Sequence, residues 1–146
     1  MRLTLQRVSK AICRVDDKIC GQISTGLLLF VGFTESDSED LLPIALRKCL
    51  ELRIFEDNNG KLNKSLLDLN GSLLVISQFT LYANCSRGRR PDFTHAAPPA
   101  QAKDLYDKFV ALCQNSGVHT ETGIFAANMQ VELLNEGPIT INLEFN

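Results

Sequence analysis

The chain has no tryptophan, only two tyrosines and two histidines, and no large excess of charge of either sign. Each shortage excludes something. A module that grips single-stranded RNA stacks bases on aromatic rings and presents a basic face, and here both are thinly supplied. Fifteen basic residues against 17 acidic ones leave a net charge of −2, which argues against a broad electrostatic hold on nucleic acid. No apolar run approaches the roughly 20 residues needed to cross a bilayer; the longest, Leu27 to Val31, is strand-sized. The opening MRLTLQRVSK has no continuous apolar core of a signal peptide, so a cytoplasmic protein is expected, with no membrane partner. Cys13, Cys20, Cys49, Cys85 and Cys113 are odd in number and form no CxxC pair, which reads as reduced thiols used as small hydrophobes. His95 and His119 lack metal-ligand spacing, so no metal and no other cofactor is expected. No GxSxG elbow, Walker loop, HExxH or GxGxxG occurs.

What is present reads as one domain over residues 1–146. With 45% hydrophobic and 22% charged residues the composition is that of a globular chain, long enough to bury about two thirds of its unfolded surface. Leu3, Leu5, Arg7, Ala11, Cys13 and Val15 alternate with polar residues, which predicts a long half-buried strand. Asp16-Asp17-Lys18 predicts a turn, and Ile19 to Ile23 the returning strand. The glycine-bounded TGLLLFVGF, Thr25 to Phe33, predicts a strand covered on both faces. Ser36 and Glu39 fit a capping box for a helix carrying Leu42, Ala45, Leu46, Cys49 and Leu50, with Pro43 near its first turn. Asp57-Asn58-Asn59-Gly60 is a turn. Leu73 to Thr80 predicts another apolar strand, and Asn84 to Pro91 a loop. Pro98-Pro99 opens a second helix with the stripe Ala102, Leu105, Tyr106, Phe109, Val110, Cys113 and ends before Gly117. Met129 to Leu134 and Ile139 to Phe145 predict two closing strands around Asn135-Glu136-Gly137-Pro138. The fold class is α+β, with two main helices and most pairing in a mixed, mainly antiparallel sheet.

Two segments stand out chemically, each open to a plain reading as well. Ser77-Gln78-Phe79-Thr80-Leu81 closes an apolar strand, where polar side chains and free N–H groups either line a pocket or face water. Gly137-Pro138 lies between two strands. Glycine permits close backbone approach and proline makes a cis bond accessible, yet an ordinary turn uses the same residues.

Together these segments resemble the D-aminoacyl-tRNA deacylases, the chiral proofreading enzymes of translation. The resemblance runs the whole length, through Gln6-Arg7-Val8, Arg53-Ile54-Phe55, Gly60-Lys61-Leu62-Asn63 and Ser77 to Leu81. It continues in Arg87-Gly88-Arg89-Arg90-Pro91, Thr122 to Met129 and Asn135 to Thr140. Leu62 stands where methionine is common, and Glu136 and Ile139 where aspartate and valine are usual. A sister family that edits other mischarged tRNAs differs at both the SQFTL and NxGPxT motifs. The resemblance implies a barrel-like sheet and hydrolysis of the ester joining a D-amino acid to the terminal adenosine of tRNA. It implies a homodimer with sites at the subunit interface, into which Gly137 and Pro138 of one subunit reach to reject an L side chain. Glycyl-tRNA mischarged on alanine tRNA is then a further substrate, since glycine has no side chain to clash.

By the same resemblance Ser77, Gln78, Phe79 and Thr80 form the catalytic segment. Arg7 braces the Gly137-Pro138 loop, or forms a surface ion pair. Met129, Phe125 and Ala126 wall the adenosine pocket, or belong to the core. Arg87, Arg89 and Arg90 contact acceptor-stem phosphates, or stand in a solvated loop. One mechanism makes Thr80 a covalent nucleophile, which needs an adjacent base or an N-terminal amine. The preferred one has the ribose 2′-hydroxyl assist water while the protein positions and stabilises. Two other classes compete: a non-catalytic tRNA- or RNA-binding module, and a small-molecule hydrolase using Cys85. The net charge is also uneven along the chain. Residues 1–34 carry +3, 35–60 carry −4, 61–90 carry +4 and 91–146 carry −5.

Overall fold

The computed structural model describes all residues, Met1–Asn146. Strand β1 (Arg2–Val15) organises the sheet because it is long enough to take three partners. Its first half pairs antiparallel with β3 (Gly26–Gly32), its second half with β2 (Lys18–Ile23) across the Asp16–Asp17 turn, and its other edge with β8 (Gln130–Glu144). Both turn aspartates have positive φ, 49° and 62°, as a tight hairpin requires. Beyond β3 the sheet continues through β6 (Ser72–Ser77) and the short β7 (Thr120–Thr122), both parallel to their neighbours. Such parallel pairs need crossovers, supplied by α1 (Leu41–Glu51) and α2 (Pro99–Asn115). A small hairpin, β4 (Phe55–Glu56) with β5 (Leu62–Lys64), follows α1. The sheet curls until β2 packs against β6 and β7, giving the barrel-like form.

The curl divides the core in two. The larger part lies between the sheet and both helices and includes Leu3, Leu5, Leu27, Leu29, Leu73, Val75 and Phe109. The smaller lies on the other face and includes Val8, Ala11, Cys13, Leu28, Leu74 and Ile76. The alternate assignment of Leu27, Leu28 and Leu29 is the period-2 rule in a strand covered on both faces. Helix α2 buries Ala102, Leu105, Tyr106, Phe109 and Cys113, as its spacing predicts, and Gly117 follows it at φ 84°.

Three expectations are corrected. The capping box of Ser36 and Glu39 does not form: α1 begins at Leu41, with no side-chain cap. Pro43 dictates this, since the first turn is where its missing N–H costs nothing. Asp37, not Ser36, is the busy residue there, accepting from the Thr34 N–H and the Met1 ammonium. The strand from Leu73 ends at Ser77 rather than Thr80, because its partner β3 stops at Gly32. Phe79–Tyr82 then turn as a 3-10 helix. Finally, Asn135 to Pro138 is not a turn between two strands. Residues 130–144 form one strand along β1, with Gln6 opposite Thr140 and Val8 opposite Asn135. Glu136, Gly137, Pro138 and Ile139 therefore bulge opposite Arg7 alone.

Burial pushes the Cys49 and Cys113 thiols up to about 12, and burial with help from Cys20 does the same to Cys13. Cys85 alone is exposed. Titration of the native protein with a thiol reagent at pH 8 is expected to modify Cys85 at once and Cys20 more slowly, the other three only after denaturation. Phe109→Ala, at the centre of the larger core, is expected to cost about 3–5 kcal/mol in urea unfolding.

Candidate functional site

A cleft of about 760 Å³ opens where β3 and β6 end together. Its floor is Phe30, Val31 and Gly32 from β3 with Ile76 and Ser77 from β6. The register places Phe30 beside Ile76 and Val31 beside Ser77, and the Gln78 N–H still donates to the Val31 carbonyl at 2.7 Å. Gly32 permits this convergence: a Cβ there would stand 2.7 Å from the Gln78 carbonyl oxygen. One wall is Gln78 and Phe79. The opposite wall is the Phe125–Met129 turn, in which Ala126 adopts φ 61°. The start of α2, at Pro98, Pro99 and Ala102, closes a third side.

The cleft is chemically sparse. Glu35, exposed at the rim, is the one ionisable residue among those lining it. The polar side chains are those of Ser77, Gln78, Thr94 and Asn128, beside the backbone of the turn that follows Gln78. That turn's own bonds run from the Leu81 N–H to Gln78 and from the Ala83 N–H to Thr80, so they do not use the N–H groups of Phe79 and Thr80. The Gln78 side-chain amide donates to the Thr80 hydroxyl oxygen, which fixes the Gln78 side chain from outside the cleft. Phe79, 56% exposed, meets Phe93 edge-on with ring centroids 5.1 Å apart at the mouth.

Of the residues singled out in the sequence, Ser77, Gln78, Phe79, Phe125, Ala126 and Met129 come together in this cleft. Thr80 lies beside it. Arg7, Gly137 and Pro138 lie elsewhere: Arg7 lines a separate hollow of about 200 Å³ with Phe55, Glu56 and Glu136. Arg7 is 5% exposed and forms no ion pair. Its Nε donates to the Glu136 carbonyl at 2.9 Å and its Nη1 to the Ile54 carbonyl at 2.7 Å. Arg7 thus makes no surface ion pair, and one of its two bonds holds the residue just before Gly137. Gly137 has φ 117°, and a Cβ on it would stand 2.8 Å from the Arg7 guanidinium; the Gly137–Pro138 bond is cis. Cys85 takes no part in the cleft.

Sequence reasoning missed Gly32, Phe33, Phe93 and the α2 start as cleft residues. The signal for Gly32 was present in the glycine that ends TGLLLFVG. Phe93 and Pro98 reach the cleft only through tertiary folding, which no local pattern encodes. Replacing Arg7 by Met removes both donors and leaves the buried Ile54 carbonyl unpaired, with the Glu136 carbonyl turned back to water, so a loss of about 1–3 kcal/mol in urea unfolding is expected.

Comparison with known proteins agrees with this architecture. The family model described as D-Tyr-tRNA(Tyr) deacylase matches residues 4–144. A D-aminoacyl-tRNA deacylase of Fervidobacterium nodosum is 53% identical over 144 residues, covering 99% of this chain and 97% of that protein. One from Clostridioides difficile is 50% identical, with the same coverage of each chain. Among solved structures, the c-Myc DNA Unwinding Element Binding Protein superposes with a TM-score of 0.94 at 36% identity, over 100% of this chain and 99% of that one. A probable eukaryotic D-amino acid tRNA deacylase gives 0.85 at 17% identity over 97% of each chain, a likeness of fold alone. With the family model spanning nearly every residue and relatives sharing half of them, the chain belongs to the D-Tyr-tRNA(Tyr) deacylase family of hydrolases.

Proposed function

We propose that the protein hydrolyses the ester between a D-amino acid and the terminal adenosine of a tRNA, releasing both. The observation that carries this reading is a largely apolar cleft whose one ionisable group is Glu35 at the rim and whose other polar groups are Ser77, Gln78, Thr94, Asn128 and the turn after Gln78. Apolar walls at Phe125, Ala126 and Met129 suit the adenosine. The N–H groups of Phe79 and Thr80 suit an ester oxygen that gains charge as water adds. Neither needs a cofactor.

Thr80 is poorly placed as a nucleophile. Its hydroxyl oxygen already accepts from Gln78, and no histidine, lysine or cysteine lines the cleft to activate it. The ribose 2′-hydroxyl is the group that the substrate itself brings next to the ester. In this mechanism it orients the water, the water adds to the carbonyl carbon, and the ribose oxygen leaves with a proton. Positioning and preorganised donors supply the rate.

The chain works as a homodimer in this reading. Strand β8 pairs on one edge only, and Val131, Leu133, Ile139, Ile141 and Leu143 are half-buried along it, with Leu134 62% exposed. A long apolar edge of this kind needs a cover. The Gly137–Pro138 bulge lies outside its own cleft and exposed, free to enter the cleft of a second copy. Its carbonyls there fill the space that an L side chain requires, while a D side chain points away and glycine has none. Glycyl-tRNA for alanine is accordingly a second substrate.

Purified protein given D-tyrosyl- and L-tyrosyl-tRNA is expected to cleave the D form at least a hundredfold faster. Equal cleavage of both, or of neither, refutes the reading; a protein that binds tRNA without cleaving it is the non-catalytic alternative. Thr80→Ala and Glu35→Gln are expected to keep the rate within about tenfold. A substrate whose terminal ribose lacks the 2′-hydroxyl should lose about a hundredfold or more. Full loss in Thr80→Ala with a normal rate on the 2′-deoxy substrate restores the nucleophile. Sedimentation equilibrium should give twice the 16.2 kDa chain mass.

A further inference from the structure

The arginine loop is a motif that this function leaves unused. Residues 84–92 form a closed loop whose feet are joined by two backbone hydrogen bonds between Asn84 and Asp92, at 2.7 and 3.0 Å. Each foot is further fixed by its own side chain. Asn84 accepts from the Ser86 N–H at 3.0 Å, and Asp92 from the Thr94 N–H and hydroxyl at 2.9 and 3.0 Å. Those bonds hold the Asp92 carboxyl below its ordinary range, so its charge is spent on the loop's own base. Arg87, Arg89 and Arg90 are all exposed, and none forms an ion pair or a hydrogen bond within the chain.

The loop's position gives the three cations a purpose. The residues directly after its second foot, Phe93 and Thr94, line the cleft, and Phe93 packs on the exposed Phe79. An exposed ring, Phe79, backed by the half-buried Phe93 and followed in the chain by unpaired arginines, at the mouth of a pocket that takes a nucleoside, makes the pairing that single-stranded nucleic acid recognises: stacking for bases, forked donors for phosphates. A loop rooted at the mouth reaches the phosphates next to the bound nucleoside, not a distant duplex.

We infer that Arg87, Arg89 and Arg90 bind the phosphates of the last single-stranded nucleotides of the tRNA, with Phe79 and Phe93 meeting the adjoining bases. This inference rests on the deacylase reading for the identity of the ligand, and it replaces the acceptor-stem duplex by the 3′ end as the partner. It also explains how a chain of net charge −2 engages a polyanion: a few phosphates held at one end are enough.

The test compares two substrates that share the reacting ester, D-tyrosyl-tRNA and D-tyrosyl-adenosine, which has no flanking phosphates. The triple change Arg87→Ala, Arg89→Ala, Arg90→Ala should raise KM for the tRNA tenfold or more at low salt, leaving kcat within twofold. D-tyrosyl-adenosine should be cleaved as by the wild type. The slope of log KM against log salt should shrink by about 0.7 for each phosphate that the variant no longer holds. The triple lysine variant should recover part of the affinity, since charge without the fork still attracts phosphate. Arg47→Glu with Lys48→Glu, on the exposed face of α1, is the control for bulk charge and should leave KM unchanged. An unchanged KM in the triple alanine variant, an equal fall on both substrates, or an equal effect in the control overturns the inference. Anisotropy of a labelled single-stranded RNA ending in CCA reads the loop without the chemistry. Weaker binding by the triple variant upholds the inference even where no ester is cleaved, and equal binding refutes it.

Discussion

A single buried guanidinium holds the architecture to its register. Arg7 sits in the middle of β1, and its two hydrogen bonds reach the Glu136 carbonyl in β8 and the Ile54 carbonyl beyond α1. A buried cation without a carboxylate needs partners for its donors, and here two carbonyl dipoles supply them. The consequence is geometric. Four residues of β8 must pass one residue of β1, and on either side of that bulge the apolar residues of β8 serve different faces of the sheet. Val131 and Leu133 pack with the smaller core, Ile139, Ile141 and Leu143 with the larger. A slip by one residue would turn both sets to the wrong side. The brace that projects Gly137 and Pro138 is therefore also what lets one strand close two cores.

The cleft follows from a second constraint, the close approach of backbones at the ends of β3 and β6. Gly32 admits the Gln78 carbonyl where any side chain would exclude it. Val75, two residues before Ser77, is anchored from behind, its carbonyl accepting from the Tyr106 hydroxyl at 2.8 Å and the Gly123 N–H at 3.0 Å. The lining includes a single ionisable group, Glu35 at its rim, so the mechanism proposed above relies on positions rather than on acids and bases. Backbone donors hold positions well only where both strands under them are rigid, and the parallel pair with α2 packed behind it provides that. An aminoacyl ester is labile enough for such a site to suffice.

These constraints also divide what the residue pattern discloses from what it hides. Alternation in Leu3 to Val15, the double-sided run Leu27 to Val31 and the stripe from Ala102 to Cys113 are period signals, and all three elements stand where the periods put them. The Ser77 to Thr80 and Phe125 to Met129 segments were legible through family resemblance, and the folded chain brings most of them to one cleft. The errors share a cause. Asn-Glu-Gly-Pro has the local chemistry of a hairpin turn, and only its long-range partner, Arg7, makes it a bulge in a continuous strand. Ser36 and Glu39 have the local chemistry of a capping box, but Asp37 is drawn inward by Met1 and Thr34. Phe93 and Gly32 belong to the site because strands and a loop meet there. Local patterns report the element; they are silent on its partner.

The charge distribution shows the same separation. Along the chain the charge alternates in blocks, and folding cancels some blocks and not others. Arg2 of β1 pairs with Glu144 of β8 at 3.1 Å, and Lys10 and Arg14 pair with Glu132 at 3.6 and 3.1 Å, so three cations of the basic first block meet two carboxylates of the acidic last one. Lys103 and Lys108 spend themselves on Asp107, Asp104 and Glu39 within the helical layer. Nothing comparable meets the cations of the block from Lys61 to Arg90, three of which are gathered on the loop at the cleft mouth. The balance near zero is thus an average over a cancelled sheet and an uncancelled rim. Screening limits such a rim to partners within about 8–10 Å at physiological salt, which is the scale of one or two nucleotides. On the inference drawn above, a protein so charged engages the end of a tRNA rather than its length.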